Sequence, residues 1–501
     1  MPTTTVRQVE PTPIANYEGY RQTLRASFRK GTPRPLEYRQ KQLAQLAYMI
    51  QDNHQRFTDA LYQDLGKPAL EVYMAETGAA VSGALKSTRE LAEWAAPQDV
   101  QTDEMWKSFE PKIYKAAKGV VLIIGPSNYP CILTLQPLTG AIAAGCCAVI
   151  KPSELTPAYA TLLAELLPQY LDSSCYKVVN GAVPETTALL ALQWDHIFYT
   201  GSVAVAKIVA TAAAKHLTPC SLELGGKCAA VIDPNIPEGD EEYVMRAAKR
   251  IMWGKVQHSG QVCISADYVL VKEGMVDSVV EGFRAALKQF YPDGALAEDA
   301  SYSSILNHAH LARQQKLLAE TKGKIVVGGK ADEARLKLEP TIVVLEDRQD
   351  VLMERQVDEI FGPILPIIAV KDMDEAINFI NDMPHALTLY IFSADQILKS
   401  RFIDETLSGT IVFNDTYQQL AVTNLPFGCV GASGYGHQGG KYTYDNFTHL
   451  RSSVDIPKEA EPFISLRYPP YSAQATEVFS GAVKQPIPYE RTSPKGHANG
   501  K

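Results

Sequence analysis

Short β-branched runs alternate with helical runs between Gly119 and about Gly226, and this alternation restricts the fold more than any other feature of the chain. The expected strands cover residues 120–124, 148–150, 176–179 and 197–200, and the expected helices cover 138–144, 157–170, 185–192 and 203–217. Thr156 is the expected N-cap of the second helix and Pro157 its first residue. The alternation predicts an α/β fold with a mostly parallel sheet and helices on both faces, which binds ligands at the carboxyl ends of its strands.

No charged residue occurs from Gly119 to Ile150. The stretch is longer than the roughly 20 residues that a membrane-spanning helix needs. It also contains Pro126, Pro130 and Pro137, which interrupt regular structure. We therefore interpret it as a buried strand, loop, helix and strand. Helical patterns also cover 21–28 and 36–66, and the acidic segment 233–241 is expected to form a surface loop.

The composition excludes several classes of protein. Of the 501 residues, 46% are apolar and 21% are charged, which is typical of a folded globular chain. The formal charge of −8 argues against nucleic-acid binding, which usually shows a basic surface. Eight cysteines without a C-x-x-C pair favour neither a disulfide scaffold nor a zinc site, and the N-terminus has no signal-peptide pattern. We expect a cytoplasmic protein with no metal and no transmembrane segment, with peripheral membrane association as an alternative.

Three residues are candidates for chemistry. Cys263 follows a glycine-containing turn, where a loop would give the thiol access to a substrate. Glu223 lies between leucines at the end of a strand, where burial would raise its pKa and suit it to general-base work. Asn128, in a turn near two prolines, would offer an amide N–H to an oxyanion. Each has a structural alternative: a core cysteine, an exposed glutamate or a turn asparagine.

Two turns after strands are candidate binding sites for a nucleotide. Gly201 and Ser202 open a helix whose first N–H groups and dipole would attract a pyrophosphate, although such a turn also serves as a simple cap. Lys151 and Glu154 follow the strand at 148–150, where they would hold a ribose or remain solvated.

The segment Gly434-Tyr-Gly-His-Gln-Gly439 matches the dinucleotide fingerprint G-x-G-x-x-G letter for letter. No strand pattern precedes it, and residues 441–447 do not favour a helix, so the strand-turn-helix context is missing. We interpret the segment as a tightly turning loop.

In this order, the motifs resemble one family, the NAD(P)-dependent aldehyde dehydrogenases, from about Tyr17 to Tyr471. The resemblance rests on Ile124-Gly-Pro-Ser-Asn-Tyr-Pro130, Lys151-Pro-Ser-Glu154, Tyr199-Thr-Gly-Ser202, Glu223-Leu-Gly-Gly-Lys227, Gly260-Gln-Val-Cys263, Glu359-Ile-Phe-Gly-Pro363 and Leu425-Pro-Phe-Gly428. The ending Ser465-Leu-Arg-Tyr-Pro-Pro-Tyr471 is most similar to the branch that includes the fatty-aldehyde dehydrogenases, class 3.

The resemblance implies two Rossmann-like α/β domains and a small β oligomerisation arm. We expect the NAD-binding domain at 1–99 and 118–222, the catalytic domain at 223–418, the arm at 100–117 and 419–460, and a C-terminal tail at 461–501. The family also implies a homodimer. The tail lacks the apolar anchor that membrane-bound members of this branch carry.

The resemblance also assigns roles to the three chemical candidates. Cys263 would attack the aldehyde, and the Asn128 amide with the Cys263 backbone N–H would hold the oxyanion. Glu223 would deprotonate the water that hydrolyses the resulting thioester, and the product would be a carboxylic acid.

For the cofactor, the resemblance implies that Lys151 and Glu154 bracket the adenosine ribose. Gly201 and Ser202 would meet the pyrophosphate, Glu359 would hold the nicotinamide ribose, and Phe361 would pack near the ring. Glu154 should repel a 2′-phosphate and Lys151 should attract one, so we expect NAD, with some use of NADP.

The chain departs from the family pattern near the expected substrate pocket, which Ser127 and Tyr129 would line. Ser127 replaces the usual tryptophan and would enlarge the entrance. The other departures are Cys146, Ala206, His258 and Cys429. None removes a residue with an expected catalytic role.

The leading hypothesis is the oxidation of an apolar aldehyde, medium- to long-chain or terpenoid, including apocarotenoids, to its acid. Two alternatives remain at this point. One is a semialdehyde dehydrogenase for a short polar substrate, and the other is a cysteine esterase that needs no cofactor.

Overall fold

The computed structural model describes residues 9–354 and 359–490. Helices begin the described chain: α1 (Tyr17–Lys30), α2 (Leu36–Asp52), α3 (His54–Leu65), α4 (Ala69–Val72) and α5 (Gly78–Ala95), with a π-helical turn at Tyr73–Thr77. Asn53, at φ −119°, separates α2 from α3, so the helical pattern at 36–66 is two helices. Gly66 ends α3 in the left-handed conformation that favours glycine.

The first large sheet follows two short strands, β1 (Gln98–Asp99) and β2 (Lys112–Ala117). Its elements are β3 (Val120–Ile124), α6 (Ile132–Ala144), β4 (Cys147–Lys151), α7 (Pro157–Tyr170), β5 (Tyr176–Val178), α8 (Val183–Leu190), β6 (His196–Thr200), α9 (Val203–Ala214) and β7 (Cys220–Glu223). The parallel strands lie in the order β7-β6-β3-β4-β5. Strand order therefore reverses between β3 and β6, which opens a ligand-binding crevice at their carboxyl ends.

A second α/β layer follows. Its elements are β8 (Ala229–Ile232), α10 (Tyr243–Val256), β9 (Tyr268–Lys272), α11 (Val276–Phe290), α12 (His308–Glu320), β10 (Lys324–Val327), β11 (Ala331–Asp332), β12 (Lys337–Leu338), β13 (Thr341–Leu345), β14 (Ile364–Val370), α13 (Met373–Asp382), β15 (Thr388–Phe392), α14 (Gln396–Glu405) and β16 (Thr410–Phe413). The main sheet has the order β10-β13-β14-β9-β8-β15-β16. Adjacent residues Val269 and Leu270 of β9 pack into different apolar clusters, so both faces of the sheet are covered.

The remaining elements follow the second sheet in the chain. They are β17 (Phe427–Gly428), β18 (Gly434–Tyr435), β19 (His437–Gln438), α15 (Lys441–Asn446), β20 (Thr448–Ser453), α16 (Glu461–Ile464) and α17 (Ala473–Ser480). Strand β18 pairs antiparallel with β7, and β17 pairs antiparallel with β19. Strands β1, β2 and β20 form a separate three-stranded sheet.

By its internal contacts, the chain divides into two compact units. One lies within residues 1–96 and 115–449 and contains both large sheets, and the other lies within 97–114 and 450–501. In the second unit, Trp106 packs edge-on against Phe109 and Phe463. Every residue with a predicted role in chemistry or binding belongs to the first unit.

The predicted α/β class is confirmed, and most elements of the first sheet begin and end within a few residues of their expected positions. The cap of α7 differs. Thr156 occupies the N-cap position, but the carboxylate of Asp64 accepts the N–H groups of Ala158 and Tyr159, at 3.0 and 2.9 Å. The expectation that 441–447 is not helical is wrong, because α15 covers most of it.

Backbone conformation explains why the G-x-G-x-x-G match contains glycines. Gly434, Gly436 and Gly439 all have positive φ, between 103° and 111°. A Cβ on Gly434 would overlap the carbonyl oxygen of Leu222 in β7. These glycines therefore let β18 pair closely with the strand that carries Glu223. Within the described residues, no helix has both the length and the apolar character needed to cross a membrane.

Candidate active site

Cys263 lies in a strained loop between α10 and β9. His258 and Ser259 have φ values of 46° and 52°, in the left-handed region that non-glycine residues rarely adopt. Gly260 follows with φ 73°, and a Cβ there would overlap the carbonyl oxygen of Gly362, so only glycine fits. The Cys263 side chain is half-buried. The loop therefore leaves the residue partly accessible.

The surroundings of Cys263 oppose the thiolate. Burial raises the pKa of its thiol, and the nearby carboxylates of Glu359 and Glu223 raise it further. The backbone N–H groups of Cys263 and Ile264 act in the opposite direction because they donate toward the sulfur. A base must therefore take the proton before the sulfur can attack a carbonyl, and the same N–H groups are placed to receive a negative oxygen.

Glu223 ends β7 at the carboxyl edge of the first sheet. It is 2% exposed, and burial raises the pKa of its carboxyl group to about 8. The Cys429 thiol donates to its Oε2 at 3.1 Å, while Oε1 is buried without a hydrogen bond of ordinary geometry. A carboxyl group with this pKa can change its protonation state near neutral pH, as a general base requires. We call Cys263, Glu223 and Cys429 the reactive cluster.

Asn128 lies against the loop that carries Cys263. Its Nδ2 donates to the carbonyl oxygen of Gln261 at 3.1 Å. An amide nitrogen carries two N–H bonds, and this contact uses one of them. The other is available to a substrate oxygen. The structure thus brings the three residues that the sequence singled out for chemistry to one place.

A fully buried ion pair holds the backbone on both sides of Asn128. Lys67 Nζ donates to Glu76 Oε1 at 2.5 Å and to the carbonyl oxygen of Asn128 at 2.7 Å. Glu76 Oε2 accepts the N–H groups of Cys131 and Ile132, both at 3.0 Å. Both charged side chains are 0% exposed. We call Lys67, Glu76 and Asn128 the support cluster; no motif in the sequence marks its two charged members.

Other buried polar groups fix the strained loop. The Gln261 amide donates to the carbonyl oxygen of Ser304 at 3.0 Å and accepts the N–H of Leu306 at 2.9 Å. Glu71 accepts the backbone N–H of His258 at 3.1 Å. These contacts compensate for the left-handed residues before Cys263, so the loop keeps one conformation.

The predicted ribose pair forms at the carboxyl end of β4. Lys151 Nζ lies 2.7 Å from Glu154 Oε2. Lys151 is almost fully buried, with its side chain 4% exposed, whereas that of Glu154 is 31% exposed. The lysine is therefore fixed, while the glutamate can reach a ligand from the crevice side.

Gly201 and Ser202 stand directly before α9, next to the crevice between β3 and β6. The Ser202 hydroxyl caps the helix weakly, at 3.5 Å from the Val205 nitrogen. A Cβ on Gly201 would overlap the Tyr199 hydroxyl, so the position requires glycine. With α9 opening behind it, this turn has the shape and the dipole to accept a pyrophosphate.

Glu359 and Phe361 lie on a segment held by several hydrogen bonds. Asp267 accepts the Ile360 N–H at 2.9 Å, and Arg313 donates to the Ile360 carbonyl oxygen at 2.7 Å. The Glu359 carboxylate accepts the N–H of Gly226. Phe361 has φ 48°, a left-handed value for a bulky residue, which indicates a constrained position. The Glu359 carboxylate also lies near Cys263, since it raises the pKa of that thiol.

An apolar wall surrounds the thiol. Half-buried Tyr129, Tyr417 and Phe427 pack with Cys263 on a buried base of Cys228, Val262, Ile264, Ala386 and Leu387. Ser127 is half-buried beside Asn128. Tyr129 lies over Lys67, whose Nζ is 3.6 Å from the ring centre. Phe427 belongs to the motif Leu425-Pro-Phe-Gly428. No local pattern marks Tyr417, which the fold brings to the site.

Several known aldehyde dehydrogenases are similar to this chain. The sequence model of the aldehyde dehydrogenase family matches residues 8–453. Aldehyde dehydrogenase family 3 member A2 from Mus musculus is 45% identical over 450 residues, 90% of each chain. The dimeric NADP-preferring aldehyde dehydrogenase from Canis lupus familiaris is 40% identical, over 91% of this chain and 98% of its own. A substrate-bound AldH structure from Staphylococcus aureus has a TM-score of 0.87 at 36% identity, over 93% of this chain and 99% of that one.

The fold and the site together define an NAD(P)-dependent oxidoreductase. The chain belongs to the aldehyde dehydrogenase family and oxidises an aldehyde to a carboxylic acid with NAD or NADP. The expected branch is confirmed as well, since the similar relatives are members of family 3.

Proposed function

We propose that this enzyme oxidises apolar aldehydes, medium- to long-chain or terpenoid, including apocarotenoids. The observation that carries the proposal is the apolar wall of Tyr129, Tyr417 and Phe427 around Cys263. Burial of each methylene of a chain against such a wall contributes about 0.8 kcal/mol, so longer substrates gain affinity. Ser127 supports the proposal because its small side chain leaves room beside Asn128.

In the proposed mechanism, Cys263 is the nucleophile and forms a thiohemiacetal with the aldehyde carbon. The Asn128 amide and the Cys263 backbone N–H hold the oxygen that becomes negative. The bound nicotinamide supplies the acceptor for the substrate hydride. Cys263 then carries the acyl group as a thioester, and Glu223 accepts a proton from the water that attacks it. The carboxylic acid leaves, and the thiol is restored.

The described residues fit the cofactor, and we assign it to the crevice between β3 and β6. Lys151 and Glu154 would bracket the adenosine ribose, and Gly201 and Ser202 would meet the pyrophosphate. Glu359 would hold the second ribose, with Phe361 beside the nicotinamide. The partly exposed carboxylate of Glu154 would repel a 2′-phosphate, so NAD would be preferred over NADP.

We also propose boundaries for the domains. The NAD-binding domain would comprise 1–99 and 118–222, the catalytic domain 223–418 and the oligomerisation arm 100–117 and 419–460, with a tail at 461–501.

A homodimer is supported by the canine relative, which is named dimeric. Light scattering on the purified protein should give twice the mass of one chain, and a concentration-independent monomer would exclude the dimer.

We also propose a cytoplasmic location, with peripheral membrane association as its alternative. All eight cysteines are free thiols in the structure, as in proteins from reducing compartments. Cell fractionation distinguishes the two locations, because a peripheral protein sediments with membranes and is released by salt or carbonate.

The substrate proposal is tested with saturated aldehydes from two to sixteen carbons and with one terpenoid aldehyde. The rate of NADH formation is measured for each substrate. We expect kcat/KM to rise with chain length until the apolar wall is filled. A maximum at the shortest members or at succinic semialdehyde would contradict the proposal and favour the polar alternative. Cleavage of esters with no oxidation of any aldehyde would favour the esterase.

A further inference from the structure

Cys429 occupies a position where the family resemblance places glycine, and its side chain contacts the proposed general base directly. The thiol donates to Glu223 Oε2 at 3.1 Å, within hydrogen-bonding distance for a sulfur donor. The two residues are 206 positions apart in the chain. No role in the mechanism described above depends on this thiol.

The placement of Cys429 follows from the strand pairing. It directly follows β17, which pairs with β19, and its backbone N–H donates to the Gly436 carbonyl oxygen at 3.3 Å. Strand β18 pairs Gly434 with Glu223 itself. The Cys429 backbone is thus fixed to the segment that pairs with β7, which places its side chain beside the carboxylate.

The polar surroundings of Glu223 make this contact important. Glu223 is almost fully buried, and Oε1 has no hydrogen bond of ordinary geometry. Burial raises the pKa of Glu223, and two hydrogen-bonding groups lower it. The larger effect comes from Cys429 and the smaller from the Gln438 amide of β19. In return, the Glu223 carboxylate raises the pKa values of the Cys263 and Cys429 thiols.

We propose that Cys429 is a positioning residue for the hydrolytic step: its thiol holds Glu223 by one oxygen and stabilises the ionised carboxylate, which leaves the other oxygen to accept a proton from water. The proposal rests on the assignment of Glu223 as the general base. It requires no oxidation or transfer at Cys429, which stays a neutral donor throughout the cycle. A serine there would keep the hydrogen bond, whereas alanine or the family glycine would remove it.

The direct test follows hydrolysis of the acyl-enzyme. Cys263 is loaded from a p-nitrophenyl ester in the presence of NAD, and loss of the acyl mass is followed by rapid quench and intact-protein mass spectrometry between pH 6 and 10. In Cys429→Ala and Cys429→Gly, we expect the midpoint of the pH profile to rise by about one unit, because a hydrogen bond to a charged group is lost. Hydrolysis at pH 7 should then be about tenfold slower. The ratio kcat/KM for the aldehyde should not change, because the acyl-enzyme forms before the step in which Glu223 acts.

Cys429→Ser should keep the midpoint within about half a unit of the unmodified enzyme, because the donor remains. Cys220→Ala is the matched control, since Cys220 lies in the same strand as Glu223 but does not contact it, and its profile should not move. A Cys429→Ala profile that coincides with that of the unmodified enzyme would overturn the proposal, as would a serine variant that behaves like alanine.

Glu223→Gln separates this proposal from the proposed function. If Glu223→Gln stops acyl-enzyme hydrolysis while Cys429→Ala changes nothing, only the role of Cys429 is wrong. If Glu223→Gln hydrolyses the acyl-enzyme at the original rate, the general base is misassigned. In the double variant, Cys429→Ala should add no further shift, because the group it acts on is no longer ionisable.

Discussion

The reactive cluster and the support cluster meet at the loop that carries Cys263, but their polar atoms are partnered very differently. In the support cluster, Lys67 donates to two oxygens, and both oxygens of Glu76 accept hydrogen bonds. In the reactive cluster, one oxygen of Glu223 has no hydrogen bond of ordinary geometry, and burial raises the pKa values of Glu223 and Cys263. A satisfied buried network fixes geometry, whereas groups with displaced pKa values are ready for proton transfer.

The largest effect should come from the reactive cluster. Cys263→Ala removes the only proposed nucleophile, so NADH formation should fall by at least roughly 10⁴-fold, to assay background. The thermal midpoint should change little, because the side chain is half-buried and small. Cys220→Ala is the control and should keep full activity. Turnover by Cys263→Ala at even a tenth of the original rate would refute the assignment.

The support cluster should respond in the opposite manner, mainly through stability. Lys67→Met leaves Glu76 charged and buried, which should destabilise the protein by about 3–5 kcal/mol in urea denaturation. Lys107→Met is a matched control, since Lys107 pairs with Glu104 at the same 2.5 Å distance but on the surface. We expect no measurable change there. Equal urea-denaturation midpoints for Lys67→Met and Lys107→Met would show that the buried ion pair contributes no more to stability than the surface pair.

The same contrast explains what the sequence could predict. Cys263, Glu223 and Asn128 lie in short motifs with local signals: a glycine before a loop cysteine, an acid between leucines, and a turn between prolines. The residues that hold them have none. Lys67 meets Asn128 across 61 positions, and Asp64 caps α7 across 94. Such contacts depend on how the N-terminal helices pack against the sheet, which residue periodicity does not specify.

Element type was predicted best where burial is complete on both faces, as in β3, where five consecutive apolar residues are buried. It failed at α15, because a short polar helix such as Lys441–Asn446 has little intrinsic signal. Its formation depends on packing of Tyr444 and Thr443 into the fold. Tertiary contacts override weak propensity there.

Asn128 links the two clusters, and its variant should show an intermediate effect. Asn128→Ala removes an oxyanion donor, so kcat should fall roughly 10²- to 10³-fold. The Lys67 contact is to the Asn128 backbone and survives the change, so only the side-chain hydrogen bond to Gln261 is lost, and the free energy of unfolding should fall by about 1 kcal/mol. A large loss of stability with normal kcat would show that Asn128 has a structural role and does not hold the oxyanion.

The pH dependence tests the displaced pKa of the reactive cluster. Glu223 must be ionised to act as a base, and its pKa is raised to about 8, so acyl-enzyme hydrolysis should increase with pH through a midpoint near 8. Between pH 7 and pH 9.5 the increase should be about tenfold. A profile that is flat from pH 6 upward would mean that Glu223 is already ionised there, against the effect of its burial.

The smallest expected effect concerns the Lys151–Glu154 pair, which lies between the two clusters in character, with a buried lysine and a partly exposed glutamate. Glu154→Gln should remove repulsion of a 2′-phosphate while Lys151 remains, and so raise the NADP to NAD ratio of kcat/KM by about fivefold to tenfold. Glu165→Gln is the matched control, because Glu165 pairs with Arg56 at the same 2.7 Å distance on the surface. Both ratios come from initial rates of NAD(P)H formation with one aldehyde. If Glu154→Gln and Glu165→Gln give the same ratio, Glu154 does not contact the ribose, and the crevice must discriminate the cofactors through other residues.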